Sequence, residues 1–264
     1  MSKYYESLKS YFRILRASVK KTNYSIFGND DYKKFIIITH ARTGSNLLMS
    51  YLDSHNRIEA KGELFRNLQG KSSLELWNNF FSKKNKKVNN VGFKLFYSHP
   101  FHTTDRDVWK FILEDPDIRI IHLVRENKLR LYVSSLIARK TSKWTRKSNN
   151  KISLAEKQIE IDFDSFCSRL DKIREYENQT RINFKNHQFL EISYEELVSD
   201  KKNTMSRVFE FLQVKTSKFK SDYKKQNSET LRDLILNYDE FVERINETEY
   251  SYLLSLENQN YKAD

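Results

Sequence analysis

Four short apolar runs punctuate the chain: Phe35 to Thr39, Val91 to Phe96, Ile118 to Val124 and Phe189 to Ile192, each bounded by polar or turn residues. Runs of that length, rich in Ile, Val and Phe, predict buried strands. Between them the apolar period changes. Leu47, Leu48, Tyr51 and Leu52 recur at helical spacing after the first run, and Leu129, Val133, Leu136 and Ile137 do so after the third. The segment from about Ser153 to Lys185 carries Phe163, Phe166, Leu170, Ile173 and Tyr176 at the same spacing, which predicts one or two helices before the last strand. Met205, Val208, Phe209 and Leu212 repeat the pattern, and Leu231, Leu234, Ile235 and Tyr238 do so once more. Strand and helix in alternation predict a three-layer α/β fold, a central, mostly parallel sheet flanked by helices. No linker interrupts the pattern, so one domain is expected over residues 1–264, with its core between 34 and 238.

Residues 3 to 20 bring Tyr4, Tyr5, Leu8, Tyr11, Phe12, Leu15 and Val19 onto one face of a helix with Lys and Arg behind it. This basic amphipathic segment, residues 1–30, has two readings: packing on the body of the protein, or lying on a membrane surface. No apolar run approaches the roughly 18 to 20 residues that span a bilayer. A cytoplasmic protein, membrane-peripheral if the second reading holds, is the expectation.

Composition sharpens the picture in two places. Eighteen Phe and fifteen Tyr are a load that a disordered chain could not bury, so the protein folds. The formal net charge of +12 draws polyanions such as phosphates, nucleic acid or acidic lipid heads. A single cysteine, Cys167, excludes an internal disulfide and a cysteine-rich metal site.

Candidate chemistry gathers in two strand-to-helix turns. The first is Phe35-Ile-Ile-Ile-Thr-His-Ala-Arg-Thr-Gly-Ser-Asn-Leu-Leu48. A turn entering a helix there leaves backbone N–H groups unpaired at the helix N-terminus, and Arg42, Ser45 and Asn46 add side-chain donors, which together make an anion site. It lacks the first Gly and the Lys of the nucleotide-hydrolase phosphate loop. The second is Ile120 to Ala138, with Arg125 at the carboxyl end of the strand and Ser134 in the helix. Ligands of open α/β sheets sit at such strand ends, and two basic ends suit a ligand with two anionic groups.

Together these stretches resemble the sulfotransferase superfamily, and within it the bacterial carbohydrate and nodulation-type sulfotransferases, whose donor is 3′-phosphoadenylyl sulfate (PAPS) and whose product is 3′-phosphoadenosine 5′-phosphate (PAP). Thr39-His-Ala-Arg-Thr-Gly-Ser-Asn-Leu-Leu48 resembles the family's 5′-phosphosulfate loop, and Arg125 with Ser134, nine residues on, resembles its 3′-phosphate site. Gly62-Glu63-Leu64-Phe65, Val91-Gly-Phe-Lys-Leu-Phe96 and Tyr223-Lys-Lys-Gln-Asn227 follow in the family's order, so the resemblance runs from about Lys34 to Tyr238.

The resemblance implies a P-loop-like sulfotransferase fold and transfer of a sulfuryl group from PAPS to an acceptor hydroxyl, expected on a glycan, glycolipid or lipo-oligosaccharide. It implies that Arg42, Thr43, Gly44, Ser45 and Asn46 bind the 5′ side of the donor and that Arg42 faces the leaving phosphate oxygen. Arg125 and Ser134, with Lys224, Lys225 and Gln226, would take the 3′ side. Glu63 is the expected base, His99 the alternative, and Lys94 a candidate to reach the sulfuryl oxygens. Trp144 either stacks on a sugar or packs under its loop. The scheme needs no metal, and the sequence offers no clustered ligands for one. A nucleotide kinase-like phosphoryl transferase and a basic nucleic-acid-binding protein are the competing readings. The first lacks the P-loop Lys, and the second lacks any standard binding signature.

Overall fold

A computed structural model of the protein describes residues 28–144, 152–223, 227 and 229–260. Residues 1–27, which hold the amphipathic face predicted at the N-terminus, and the triplet Lys224, Lys225 and Gln226 lie outside the described residues.

All four predicted strands form, as β1 (Lys33–Thr39), β3 (Asn90–Phe96), β4 (Arg119–Val124) and β5 (Phe189–Ser193). A fifth, β2 (Ile58–Lys61), joins at one edge. The order is β2-β3-β1-β4-β5, with every neighbouring pair parallel. Alternation along β1 builds the layers. Phe35 and Ile37 face one helical layer with Leu48, Ile121, Ile192 and Phe209, while Ile36 and Ile38 face the other with Phe65, Trp77, Phe93 and Ile112. Both faces of the central strand are dry, as a parallel sheet requires.

The first layer holds α1 (Ser45–Asp53), α7 (Tyr194–Ser199) and α8 (Lys201–Phe211); the second holds α2 (Ser73–Phe80) and α3 (Asp107–Glu114). The predicted helical stretch before the last strand resolves into α5 (Leu154–Lys157) and α6 (Phe163–Asn183). Together with α4 (Lys128–Thr141), α6 packs on a third apolar cluster that the C-terminal elements complete. There the single pattern read through Leu231 and Tyr238 splits into α9 (Leu231–Leu234) and α10 (Tyr238–Asn246), followed by α11 (Tyr252–Asn260). The break arises because Ile235 leaves helical geometry to bridge Ile159, and the Leu236 amide donates to the Ile159 carbonyl at 2.8 Å.

The chain crosses from β3 over β1 to β4, so the carboxyl ends of these three strands flank a topological switch point, where α/β sheets open a ligand crevice. Among the described residues, no helix is long and apolar enough to cross a membrane.

Candidate active site

The turn from β1 into α1 is held open from within. Thr43, almost fully buried, donates its hydroxyl to the His40 carbonyl at 2.8 Å and lies 2.6 Å from the Thr39 hydroxyl. Thr43 thus braces the loop through its side chain. Gly44 caps α1 at φ +76, where a side chain is strained, and a Cβ there would sit 2.4 Å from the Tyr194 ring. The first intrahelical donors are the Leu47 and Leu48 amides, both to the Gly44 carbonyl. The Gly44, Ser45 and Asn46 amides precede them and have no helical acceptor, which leaves them for an anion at the positive end of the helix dipole.

Lys94 joins this cradle to the neighbouring strand. On β3, Phe93 and Leu95 point into the second layer, so period-two alternation turns Lys94 toward α1. Its ammonium, 2% exposed, donates to Asn46 Oδ1 at 2.7 Å and Ser45 Oγ at 3.3 Å and pairs with Glu63 Oε1 at 3.2 Å. Burial lowers the Lys94 pKa, and Glu63 pulls it back up. Glu63 sits just past β2 on the strand-to-helix connection. The Gly62 carbonyl ahead of it accepts the Lys94 amide at 3.3 Å, which ties that connection to β3.

The other Glu63 oxygen, Oε2, faces His99 Nε2 at 3.8 Å. His99 is fully buried, and its Nδ1 accepts the Phe96 amide at 3.3 Å. In the neutral ring the proton therefore rides on Nε2, which has no hydrogen-bond partner among the described residues. Burial, with Arg66, Lys94 and Arg106 nearby, holds His99 at about 4 instead of its ordinary 6.5. It is a neutral ring beside the carboxylate. His122, equally buried, spends its two nitrogens on Tyr97 at 2.7 Å and Glu191 at 2.8 Å.

A second cluster forms across the loop at the end of β4. Arg125 donates to the Arg42 carbonyl at 3.0 Å, and its guanidinium lies 4.5 Å from the centre of the Tyr194 ring. Its Nε is buried without an acceptor, 3.9 Å from Glu195, and burial lowers its pKa. Sequence reasoning set Arg42 against the leaving oxygen. Its side chain donates to Ser134 Oγ at 2.9 Å and to the Trp144 carbonyl, which brings it beside Ser134. Its backbone is left-handed, at φ 72. Burial, then repulsion from Arg125, brings its pKa to about 10. The Trp144 ring stays half-exposed.

Three contributors went unread in the sequence. Asn227 donates to Ser134 Oγ at 3.4 Å. Tyr194 covers Gly44, and Arg169 donates to His40 Nε2 at 2.9 Å. Asn227 and His40 lie inside the stretches quoted above, whereas nothing local marks Tyr194 or Arg169. Beyond Glu63, a cavity of about 540 Å³ opens between Asn67–Lys71 and Phe101–Asp105, and the Phe101 ring meets His99 edge-on at 4.8 Å.

These donors suit a doubly anionic ligand: unpaired amides and Lys94 on one side, and an orphaned guanidinium nitrogen with a serine hydroxyl on the other.

Residues 93–218 match the family model described as "Sulfotransferase family". A sulfotransferase from Alicyclobacillus acidocaldarius has a similar structure, with a TM-score of 0.51 at 13% identity over 87% of this chain and 96% of that one. Mouse sulfotransferase SULT7A1, solved with PAP, aligns at a TM-score of 0.44 and 13% identity over 90% of this chain and 92% of that one. No curated protein matches the sequence. Over residues 93–218 the sequence is similar to the sulfotransferase family, and the five-stranded parallel sheet with its flanking helices shares the fold of the Alicyclobacillus acidocaldarius sulfotransferase.

Proposed function

We propose that the protein transfers a sulfuryl group from PAPS to a hydroxyl of a glycan or glycolipid, with Glu63 as the base. The observation that carries this reading is the position of Lys94. One buried ammonium touches Ser45 and Asn46 of the anion cradle and also Glu63, so the charge that receives an oxyanion lies beside the carboxylate that accepts a proton.

The bound donor supplies the sulfuryl group. The Gly44, Ser45 and Asn46 amides hold its 5′ side. Arg125, Ser134, Arg42 and Asn227 gather the donors for its 3′-phosphate. As the acceptor oxygen bonds to sulfur and the bridging S–O bond breaks, Glu63 takes the hydroxyl proton and Lys94 neutralises charge on the departing phosphate. Donors set in advance for such charge are worth roughly 10²–10³ in rate each. His99, with Nδ1 occupied and its proton on Nε2, lies 3.8 Å from one oxygen of Glu63 as a neutral neighbour and leaves the base role to the carboxylate.

Radiolabelled PAPS offered with a panel of glycans, glycolipids and phenols tests this. The expected result is label in a glycan or glycolipid, with Glu63→Gln reducing transfer by about 10²–10⁴-fold while PAP binding persists. Label confined to phenols would reassign the acceptor. Near-normal turnover in Glu63→Gln together with loss in His99→Ala would move the base to His99.

A further inference from the structure

Arg130 lies outside both anion clusters, about one helical turn before Ser134 on α4. A spacing of four residues sets the two side chains on one helix face, about 6 Å apart along the axis. Asn227 and Glu229, which the chain can hold no more than about 7 Å apart, meet that face at the same two levels. Asn227 Nδ2 donates to Ser134 Oγ at 3.4 Å, and Arg130 Nη1 donates to the Glu229 carbonyl at 2.8 Å. From Val214 to Glu229 the described residues form neither helix nor strand, so no ladder of backbone bonds sets Asn227 in place. The Asn227 side chain nevertheless has work left: its Oδ1 is buried with no hydrogen-bond partner among the described residues.

The C-terminal helix aims Arg130. Glu257, on α11, accepts Arg130 Nε–H at 2.8 Å and an Nη2–H through Oε1, and accepts Asn127 Nδ2 at 3.1 Å through Oε2. Gripping a planar guanidinium by two nitrogens fixes its plane, and the plane directs Nη1 at the Glu229 backbone. Asn127 Oδ1 caps α4 by accepting the Arg130 amide at 2.8 Å, and Lys157 Nζ on α5 holds the Glu229 carboxylate at 2.5 Å. Arg130 and Glu257 side chains are each only 11% exposed. A buried ion pair costs about as much in lost hydration as it returns in attraction, so fold stability is a weak reason for this one. Its geometry supplies a better reason, since it joins α11 and α4 to the segment that carries Asn227.

We propose that Arg130, clamped by Glu257, is a positioning residue for the nucleotide: it holds the Asn227 segment against α4, so that Asn227 and Ser134 meet the 3′-phosphate together. This rests on the donor reading above and adds to it a dependence on the C-terminal helix.

The test is calorimetry with PAP and with 5′-AMP on the wild-type protein, Arg130→Met, Glu257→Gln, Asn227→Ala and the double variant Arg130→Met/Asn227→Ala, each checked for fold by circular dichroism. Every single variant should weaken PAP about tenfold and leave 5′-AMP within about twofold. The double variant should also lose only about tenfold, where independent effects would multiply to about a hundredfold. A merely structural pair would lower the Tm and leave the ratio of PAP to 5′-AMP affinity unmoved. PAP affinity within about twofold of wild type in any folded single variant, an equal loss for both nucleotides, or a multiplied loss in the double variant would overturn the proposal and leave the donor reading standing. If Arg130→Met does not fold, Glu257→Gln with Asn227→Ala supplies the same cycle. Failure of the wild-type protein to prefer PAP over 5′-AMP would remove the donor reading, and this proposal with it.

Discussion

At the scale of single residues, burial decides what each titratable group can do. His40 and His99 are both held near 4, well below 6.5, mainly by burial. Between those values the unfolded chain binds protons that the folded one refuses, so stability falls as pH drops from about 6.5 towards 4. The Tm should decline through that window, and His99→Phe, which removes one of the two groups, should flatten the decline; an unchanged profile would contradict the buried neutral state. Lys94→Met should cost turnover more than it costs PAP binding, because Ser45 and Asn46 keep their amides while Glu63 loses its partner. Steady-state rates and calorimetry on the same variant would show the split. Glu63 and Lys94 could be picked out in the sequence because each lies within a stretch that resembles the family's. Their contact could not, since it joins the ends of β2 and β3 through the fold.

Among the elements, the turn into α1 is the proposed cradle for the 5′ side of the donor. Gly44→Ala introduces a Cβ at positive φ, at about 1–2 kcal/mol, and forces Tyr194 to move. A lower Tm and weaker nucleotide binding are expected together, and unaltered binding would count against the loop as the 5′ cradle. If, as proposed, the cluster of Arg125 and Ser134 takes the 3′-phosphate, Arg125→Ala should weaken PAP strongly and leave 5′-AMP little changed; an equal loss for both nucleotides would argue against that subsite. The strands that form the crevice were legible because each is an apolar run buried on both faces. β2 was not: it has four residues, and only Ile58 is well buried. α2 does carry a local signal, Ser72 accepting the Glu75 amide as a cap, but its eight residues bury only Ser73 and Trp77, so the apolar period is faint. The C-terminal helices were read as one because periodicity alone does not show that Ile235 is taken by a bridge to Ile159.

For the molecule as a whole, the sheet order sets the site. With β1 central and the chain switching sides between β3 and β4, the cradle of α1 falls between a carboxylate-bearing flank and an arginine-bearing flank. The net charge of +12 adds long-range attraction for an anionic nucleotide, so PAP affinity should fall steadily as salt rises; salt-independent binding would mean that the buried contacts act alone. The most direct measurement is calorimetric titration with PAP beside 5′-AMP and ATP with magnesium. One-to-one binding of PAP, clearly tighter than either control, is the expected result. Equal weak binding of all three, or none, would contradict the assignment of the two flanks to the two ends of PAPS.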